Sequence, residues 1–251
     1  MGLSYYSDKL VDIRNLDATD INSVELSSVD LIVTSPPYNL QKEYGSKDDL
    51  NYEDYLNFSK KWLSNCYEWL KEGGRICLNV PLDTNLGGQR SFGADFTEIS
   101  KSIGFKYHST IVWNEGNVSR RTAWGSWLSA SAPYVIAPVE LIIVMYKGDA
   151  WKKKEKGQND ITKEEFMSWT NGLWTFNGER AKKIGHPAPF PIELPKRCIK
   201  LFSYVGDTVL DPFLGSGTTA LAAKRVGRNC VGLELNPDFC ELAKNRIFND
   251  A

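Results

Sequence analysis

Two short segments carry residues whose types and spacing could do chemistry on a planar amine held beside a nucleoside. The first, Thr34-Ser35-Pro36-Pro37-Tyr38-Asn39, directly follows the apolar run Val29 to Thr34. Consecutive prolines fix φ and remove two backbone donors, so the carbonyls around them are held in a rigid, extended geometry. A Ser35 hydroxyl and a Pro36 carbonyl placed this way can accept the hydrogens of an exocyclic amino group, and Tyr38 offers a face for a base to stack on. Acceptors on both N–H bonds localise a lone pair that is otherwise delocalised into the ring, and aim it at an electrophile such as a sulfonium methyl. Proton loss can follow transfer, so no strongly basic side chain is demanded, and proximity supplies much of the rate. Read alone, the segment is equally a Pro-Pro terminator after a strand.

The second segment, Asp211 to Thr219 (DPFLGSGTT), lies far later in the chain. Gly215-Ser216-Gly217-Thr218-Thr219-Ala220 fits the G-x-G-x-x-A turn that lets a backbone approach a nucleoside and opens a helix. The lysine of a phosphate-gripping loop is missing. About twenty residues on, Glu234 ends the next predicted strand, where a carboxylate can accept hydrogen bonds from both ribose hydroxyls. The helix N-terminus at Gly217 suits a phosphate or a carboxylate equally, because its unpaired amides carry partial positive charge. The bland alternative is an ordinary Gly-rich turn with Glu234 as a helix-entry acid.

The elements that must position these segments follow from periodicity. Short apolar strands alternate with longer amphipathic stretches, which argues for helices packed on a mostly parallel sheet. Strands are predicted at Val29 to Thr34, Arg75 to Val80, Lys106 to Trp113, Glu140 to Tyr146, Thr208 to Leu210 and Cys230 to Leu235. Helices are predicted from an Asn51 N-cap to a Gly73-Gly74 stop, from about Ala94 to Ile103, and over Pro191 to Phe202, Thr218 to Val226 and Pro237 to Ile247. From Lys147 to Gly185 the chain is Lys-rich, carries Trp151, Trp169 and Trp174, and lacks sustained apolar periodicity; it reads as an insertion.

The 251 residues, 42% of them hydrophobic, suffice for one α/β domain over 1–251, with 148–185 as the inserted candidate recognition region. A net charge of -1 excludes a uniformly basic nucleic-acid coat, so DNA contact would fall to local patches such as Arg120 with Arg121, the Lys152 to Lys156 run, and Lys182 with Lys183, each of which taken alone is more often a solvated loop or helix face. The five cysteines contain no C-x-x-C pair and sit mostly among apolar neighbours, as buried reduced thiols of a cytoplasmic protein do. With His108 and His186 far apart, no metal is expected. The N-terminus lacks a basic region followed by an apolar stretch, and no apolar run reaches membrane-spanning length.

These segments resemble the amino-methylating DNA methyltransferases. TSPPYN is similar to their catalytic motif, DPFLGSGTT to their S-adenosylmethionine motif, and GLELNPDF (Gly232 to Phe239) to the ribose-binding strand end. LKEGGRICLNVP, VELIIVMYK and HPAPFPIELPKRCIKLFS extend the likeness over most of the chain. The order, catalytic motif first and cofactor motif last, is that of the β class; enzymes that modify glutamine side chains or ribosomal RNA place a related motif after the cofactor motif. Cytosine C5 methylation is excluded because it needs a thiolate in a Pro-Cys context, and no such dipeptide occurs.

The resemblance implies a Rossmann-like fold with circularly permuted motif order, a mostly parallel seven-stranded sheet and helices on both faces. It implies an S-adenosylmethionine site lined by Asp211, Pro212, Phe213, Gly215, Ser216, Gly217, Thr218, Glu234 and Asn236, with His186, Pro187, Ala188 and Phe190 at the methionine end. Ser35, Pro36, Pro37 and Tyr38 would hold a base flipped out of double-stranded DNA. The Trp-rich insertion and Arg120, Arg121, Trp124, Trp127, Lys152 and Lys153 are candidates for DNA contact, the tryptophans of both being equally candidates for core filling under long loops. S-P-P-Y resembles the cytosine-N4 form of the motif and D-P-P-Y the adenine-N6 form, so cytosine is favoured, with adenine N6 the alternative. More distant readings are an RNA-base or protein-glutamine methyltransferase, and a DNA-binding protein that has lost catalysis. A separately acting restriction endonuclease and a homodimer are partners such enzymes often have.

Overall fold

Along the central strands, successive apolar residues divide between two cores, one on each face of a single sheet. Leu31, Val33, Cys77, Ile142, Val144 and Val209 belong to one, whereas Ile32, Ile76, Leu78, Ile143, Met145 and Leu210 belong to the other. Strands buried on both faces read as continuous apolar runs, which is why they stand out in the sequence. The computed structural model describes residues 4–38, 51–84, 90–116, 125–133, 135, 139–149, 157–179 and 190–250.

The described residues form one sheet in the spatial order β1 (Tyr6–Ser7), β2 (Val11–Arg14), β9 (Asn229–Leu233), β8 (Thr208–Asp211), β3 (Val29–Thr34), β4 (Leu70–Pro81), β6 (Val139–Tyr146), β5 (Lys106–Asn114) and β7 (Leu173–Thr175). Five of its eight pairings are parallel; the antiparallel ones involve only β1 and β6, so the sheet is mostly parallel as expected. Nine strands stand where seven are expected. The additions are the two-residue β1 and the three-residue β7 at the sheet edges, too short to leave a periodic signal.

Helices α1 (Tyr52–Trp69) and α2 (Phe92–Ile103) cover one face through Tyr55, Trp62, Leu63, Cys66, Trp69, Phe92 and Phe96. Helices α4 (Glu193–Phe202), α5 (Thr218–Arg225) and α6 (Pro237–Phe248) cover the other through residues such as Leu194, Ile199, Ala220, Ala223, Ala243 and Ile247. Asn51 caps α1 as predicted, its side chain accepting from the Asp54 amide at 3.0 Å. The Gly73-Gly74 stop is not where that helix ends. Leu70 already turns extended and pairs with Val29, and the glycines lie inside β4 beside a register shift, Gly73 at φ 76°.

The segment predicted as an unpatterned insertion contains α3 (Lys163–Trp169), which opens with a complete Thr162–Glu165 capping box, followed by β7. Trp169 and Trp174 are buried in the α4–α6 core, and Arg197 of α4 lies over Trp169, Trp174 and Phe176 at 5.5, 5.3 and 4.6 Å. The core-filling reading holds for these two tryptophans; Trp151 lies outside the described residues. All five cysteines are buried and outside any disulfide. Among the described residues no helix is long and apolar enough to cross a membrane.

Candidate active site

Strands β9, β8 and β3 are parallel neighbours, so their carboxyl ends lie along one edge of the sheet. Glu234 follows β9, Asp211 ends β8, and Ser35 follows β3. With strands about 4.8 Å apart, the step from β9 to β3 is about 10 Å. Open α/β sheets bind ligands in the crevice beyond such an edge. The topology therefore brings the two sequence segments together.

Asp211 is fully buried and anchors both. One carboxylate oxygen accepts from Thr34 Oγ1 at 2.8 Å and from the Phe213 amide at 3.1 Å; the other accepts from Thr219 Oγ1 at 2.6 Å. Burial pushes its carboxyl up to about 6, with the Thr219, Thr34 and Phe213 bonds pulling the other way. Its bonds are spent on the frame: they tie the end of β3 to the turn and to the first residues of α5.

Gly217 caps α5 at φ 80°, and a Cβ there would stand 2.9 Å from the Ala243 Cβ of α6. Only glycine combines that backbone conformation with so close a helix. Ser216 and Thr218 are buried and turn their hydroxyls to Arg246 of α6, whose Nη1 also donates to the Ser216 carbonyl at 2.5 Å. Burial pulls the Arg246 guanidinium below its ordinary value. What these two residues present to the edge is therefore backbone. Thr34 and Thr219 lie within the two segments but were given no role there, and Arg246 was not singled out; an Arg on the polar face of a last helix gives no hint that it holds a loop 30 residues earlier.

Glu234 bridges the turn to α6. Its oxygens accept from the Gly215 and Asn236 amides, each at 2.8 Å, and Asn236 in turn caps α6 on the Asp238 amide. Burial raises the Glu234 carboxyl above its usual range, against the pull of those amides. Each carboxylate oxygen keeps a further lone pair. Phe213 packs edge-on to Trp62 with ring centroids 5.0 Å apart, Pro212 is buried, and half-buried Phe190 packs against the α4–α6 core.

At the β3 end, Ser35 Oγ lies 2.5 Å from Tyr38 Oη, and Tyr55 of α1 donates to the Pro37 carbonyl at 2.8 Å. Pro36 is buried, and Pro37 is half-buried. Tyr38 is buried, its ring edge-on to Phe92 at 6.2 Å. Its hydroxyl lies 3.2 Å from Glu140 Oε2, 3.2 Å from the Asn79 carbonyl oxygen and 3.0 Å from Asn79 Nδ2, and Asn79 Nδ2 donates to Glu140 at 2.5 Å. Asn79 and Glu140 were also missed. The signal was a polar residue at the carboxyl end of RICLNV and an acid heading ELIIVMY, each out of character in a doubly buried strand.

His186, Pro187, Ala188, Arg120, Arg121, Trp124, Lys152 and Lys153 lie outside the described residues. Trp127 is 74% exposed in a turn closed by a Gly125–Pro133 bridge, within the connection that leaves the carboxyl end of β5 and returns as β6. It is not part of the core.

The donor set fits a nucleoside with a carboxylate-bearing tail: a buried acid at Glu234 with lone pairs to spare, a glycine turn with backbone presented, and a helix N-terminus for an anionic group. A model of the N6/N4 type, described as DNA methylase, matches residues 29–245. The chain belongs to this DNA methylase family. It is 58% identical over 168 residues to the type II methyltransferase M.MjaVI of Methanocaldococcus jannaschii, covering 66% of this chain and 86% of that protein. To M.ScaI of Streptomyces caespitosus it is 30% identical over 266 residues, 100% of this chain and 86% of that one. TTHA0409 of Thermus thermophilus, solved with S-adenosyl-L-methionine, superposes with TM-score 0.74 at 29% identity over 95% of both chains. The PvuII methyltransferase, cytosine-N4-specific, shares the fold with TM-score 0.74 at 20% identity, over 99% of this chain and 94% of that one. With family membership the cofactor expectation stands: the methyl donor of this methylase is S-adenosylmethionine.

Proposed function

We propose that this methylase is site-specific and modifies the exocyclic amine of a base turned out of double-stranded DNA, cytosine N4 in preference to adenine N6. The observation that carries the reading is the adjacency of β8 and β3, which sets Ser35 beside the cofactor turn. S-adenosylmethionine would be held by Glu234 at its ribose and by the backbone of Gly215 to Thr218 at the α5 N-terminus, and it supplies a methyl group on a sulfonium. The chain's part is to bind and orient. Ser35 Oγ and the Pro36 carbonyl accept from the amine, Tyr38 shapes the pocket wall, and the half-buried edge keeps competing water out. The S-P-P-Y form of the motif favours cytosine.

Trp127 in the connection from the same edge, with Arg120, Arg121 and Trp124, would meet the duplex, as would Lys152 and Lys153 of the 148–185 region. The relatives named type II methyltransferases support a role beside a restriction endonuclease. The test is incubation with labelled S-adenosylmethionine and varied duplexes, followed by mass spectrometry of the nucleosides. N4-methylcytosine is the expected product and N6-methyladenine would replace the base assignment. Label found only in RNA or protein would overturn the reading.

A further inference from the structure

Four polar groups near the Ser35 end are linked by hydrogen bonds, a carboxylate among them. Asn79 Nδ2 donates to Glu140 Oε2 at 2.5 Å and to Tyr38 Oη at 3.0 Å. The opposite amide orientation would set its oxygen against the carboxylate, and the observed one leaves Asn79 Oδ1 buried with no hydrogen-bond partner. An ionised carboxylate only accepts, so in the 3.2 Å contact between Tyr38 and Glu140 the phenol donates. Tyr38 has one hydrogen and two acceptors at 3.2 Å, the Asn79 carbonyl oxygen and Glu140 Oε2, of which the charged carboxylate makes the stronger bond. With that hydrogen turned to either, the 2.5 Å contact has Ser35 donating to Tyr38, and Ser35 Oγ turns only lone pairs towards a base.

We propose that Glu140 is a positioning residue acting through Tyr38: it fixes Ser35 Oγ as an acceptor for the target amine and takes up the proton that amine sheds. The inference rests on the amine-methylation reading above. An amino group meets lone pairs at Ser35 and is held; a carbonyl in the same place meets lone pair against lone pair and is refused. The chain therefore selects amino from keto bases before any chemistry. When the nitrogen bonds the methyl carbon and the sulfur–carbon bond breaks with its pair on sulfur, an N–H proton passes to Ser35 Oγ. The Ser35 proton passes to Tyr38 Oη and the Tyr38 proton to Glu140, leaving a methylated amine and a neutral carboxylic acid. No water need enter the pocket.

The experiment uses the full chain, its Glu140→Gln and Glu140→Asp variants, and a duplex bearing the site at which the wild type is found to methylate DNA. In single-turnover experiments Glu140→Gln should be slower by about 100-fold, the low end of proton-transfer catalysis, whereas Glu140→Asp, which keeps a carboxylate, should recover most of the rate. A second readout is duplex affinity without cofactor. The wild type should bind a duplex whose target amine is replaced by a carbonyl (uracil for cytosine) about fivefold or more weakly; Glu140→Gln, able to donate to Tyr38 and reverse the chain, should bind both duplexes within twofold. Unchanged S-adenosylmethionine affinity in the variants reports an intact fold. A Glu140→Gln rate within twofold of wild type, with discrimination against the carbonyl duplex retained, would overturn the inference and leave the functional reading in place. Wild-type protein that methylates no amine in DNA would overturn both.

Discussion

Thr34 donates a 2.8 Å hydrogen bond to Asp211 across 177 residues of sequence, joining the last residue of one strand to the last residue of its neighbour. The bond is fully buried, and a second threonine, Thr219, holds the other carboxylate oxygen. The Ser35 segment and the glycine turn thus share one anchor. Disturbing it should be felt at both.

Asp211 makes stability depend on pH in an unusual direction. Its carboxyl is held at about 6 against a reference of 3.8, so between those values the folded chain keeps a proton that the unfolded chain has lost. Stability contributed by this group is full below about pH 4 and falls as pH rises to about 6, by on the order of 3 kcal/mol. Asp211→Asn should remove that slope. Urea denaturation of both proteins from pH 4 to 7 should show the wild type losing ground to the variant across the window; a constant difference would refute the assignment.

Gly217→Ala should weaken the molecule in two ways at once. A left-handed alanine costs about 1 kcal/mol, and a Cβ 2.9 Å from the Ala243 Cβ forces α5 and α6 apart, for about 1–3 kcal/mol more. Thermal melting should drop by several degrees, and calorimetry should show weaker S-adenosylmethionine binding. Unaltered melting would mean the helices can part freely.

Arg246→Met should leave the α6 packing largely in place while releasing the Ser216 carbonyl and both hydroxyls. The expected result is a cofactor dissociation constant raised about tenfold, equivalent to about 1.4 kcal/mol, with little effect on duplex affinity. Equal losses in both would point to general unfolding.

Ser35→Ala removes an acceptor for the amine and nothing from the cofactor turn. Turnover should fall by about 100-fold, as when a single aligned transition-state hydrogen bond is lost, while S-adenosylmethionine affinity stays within twofold. Equal turnover would dismiss Ser35 as a substrate contact.

Trp174→Ala distinguishes core from recognition in the 148–185 region. Trp174 is almost wholly buried and its indole nitrogen donates to the Trp169 carbonyl at 2.9 Å. Truncation should cost about 3–5 kcal/mol of stability. At a temperature where the variant is folded, its duplex affinity should match the wild type; selective loss of DNA binding would return this residue to the interface.

What was legible in the sequence follows physical rules. Val29–Thr34 was placed to the residue because Leu31, Ile32 and Val33 form an apolar run, as in a strand buried on both faces, that leads into two prolines. The cofactor turn announced itself because glycines are required where chain and helix approach closely. The helix after Thr162 and strand β7 escaped because seven and three residues are too few to establish a period, and their burial depends on Arg197 from a distant helix. Asn79, Glu140 and Arg246 escaped for a related reason. Each meets partners far away in sequence, such as the 102 residues between Tyr38 and Glu140, and although a polar residue in a buried strand marks Asn79 and Glu140 as unusual, local pattern does not name those partners.

The neighbouring positions of β3 and β8 also bear on how the molecule is made. During synthesis β3 emerges early, yet the strand that covers its second edge is added only after most of the chain, and β2 waits longer still for β9. Such long-range parallel pairings are slow to form and leave unpaired edges exposed in the meantime. The capacity to methylate should consequently appear late and all at once, when α6 closes over the glycine turn and Arg246 reaches it. A nascent or truncated chain holding Ser35 and Tyr38 but lacking that closure would carry the catalytic loop without a place for the methyl donor, and so would be harmless to the DNA around it.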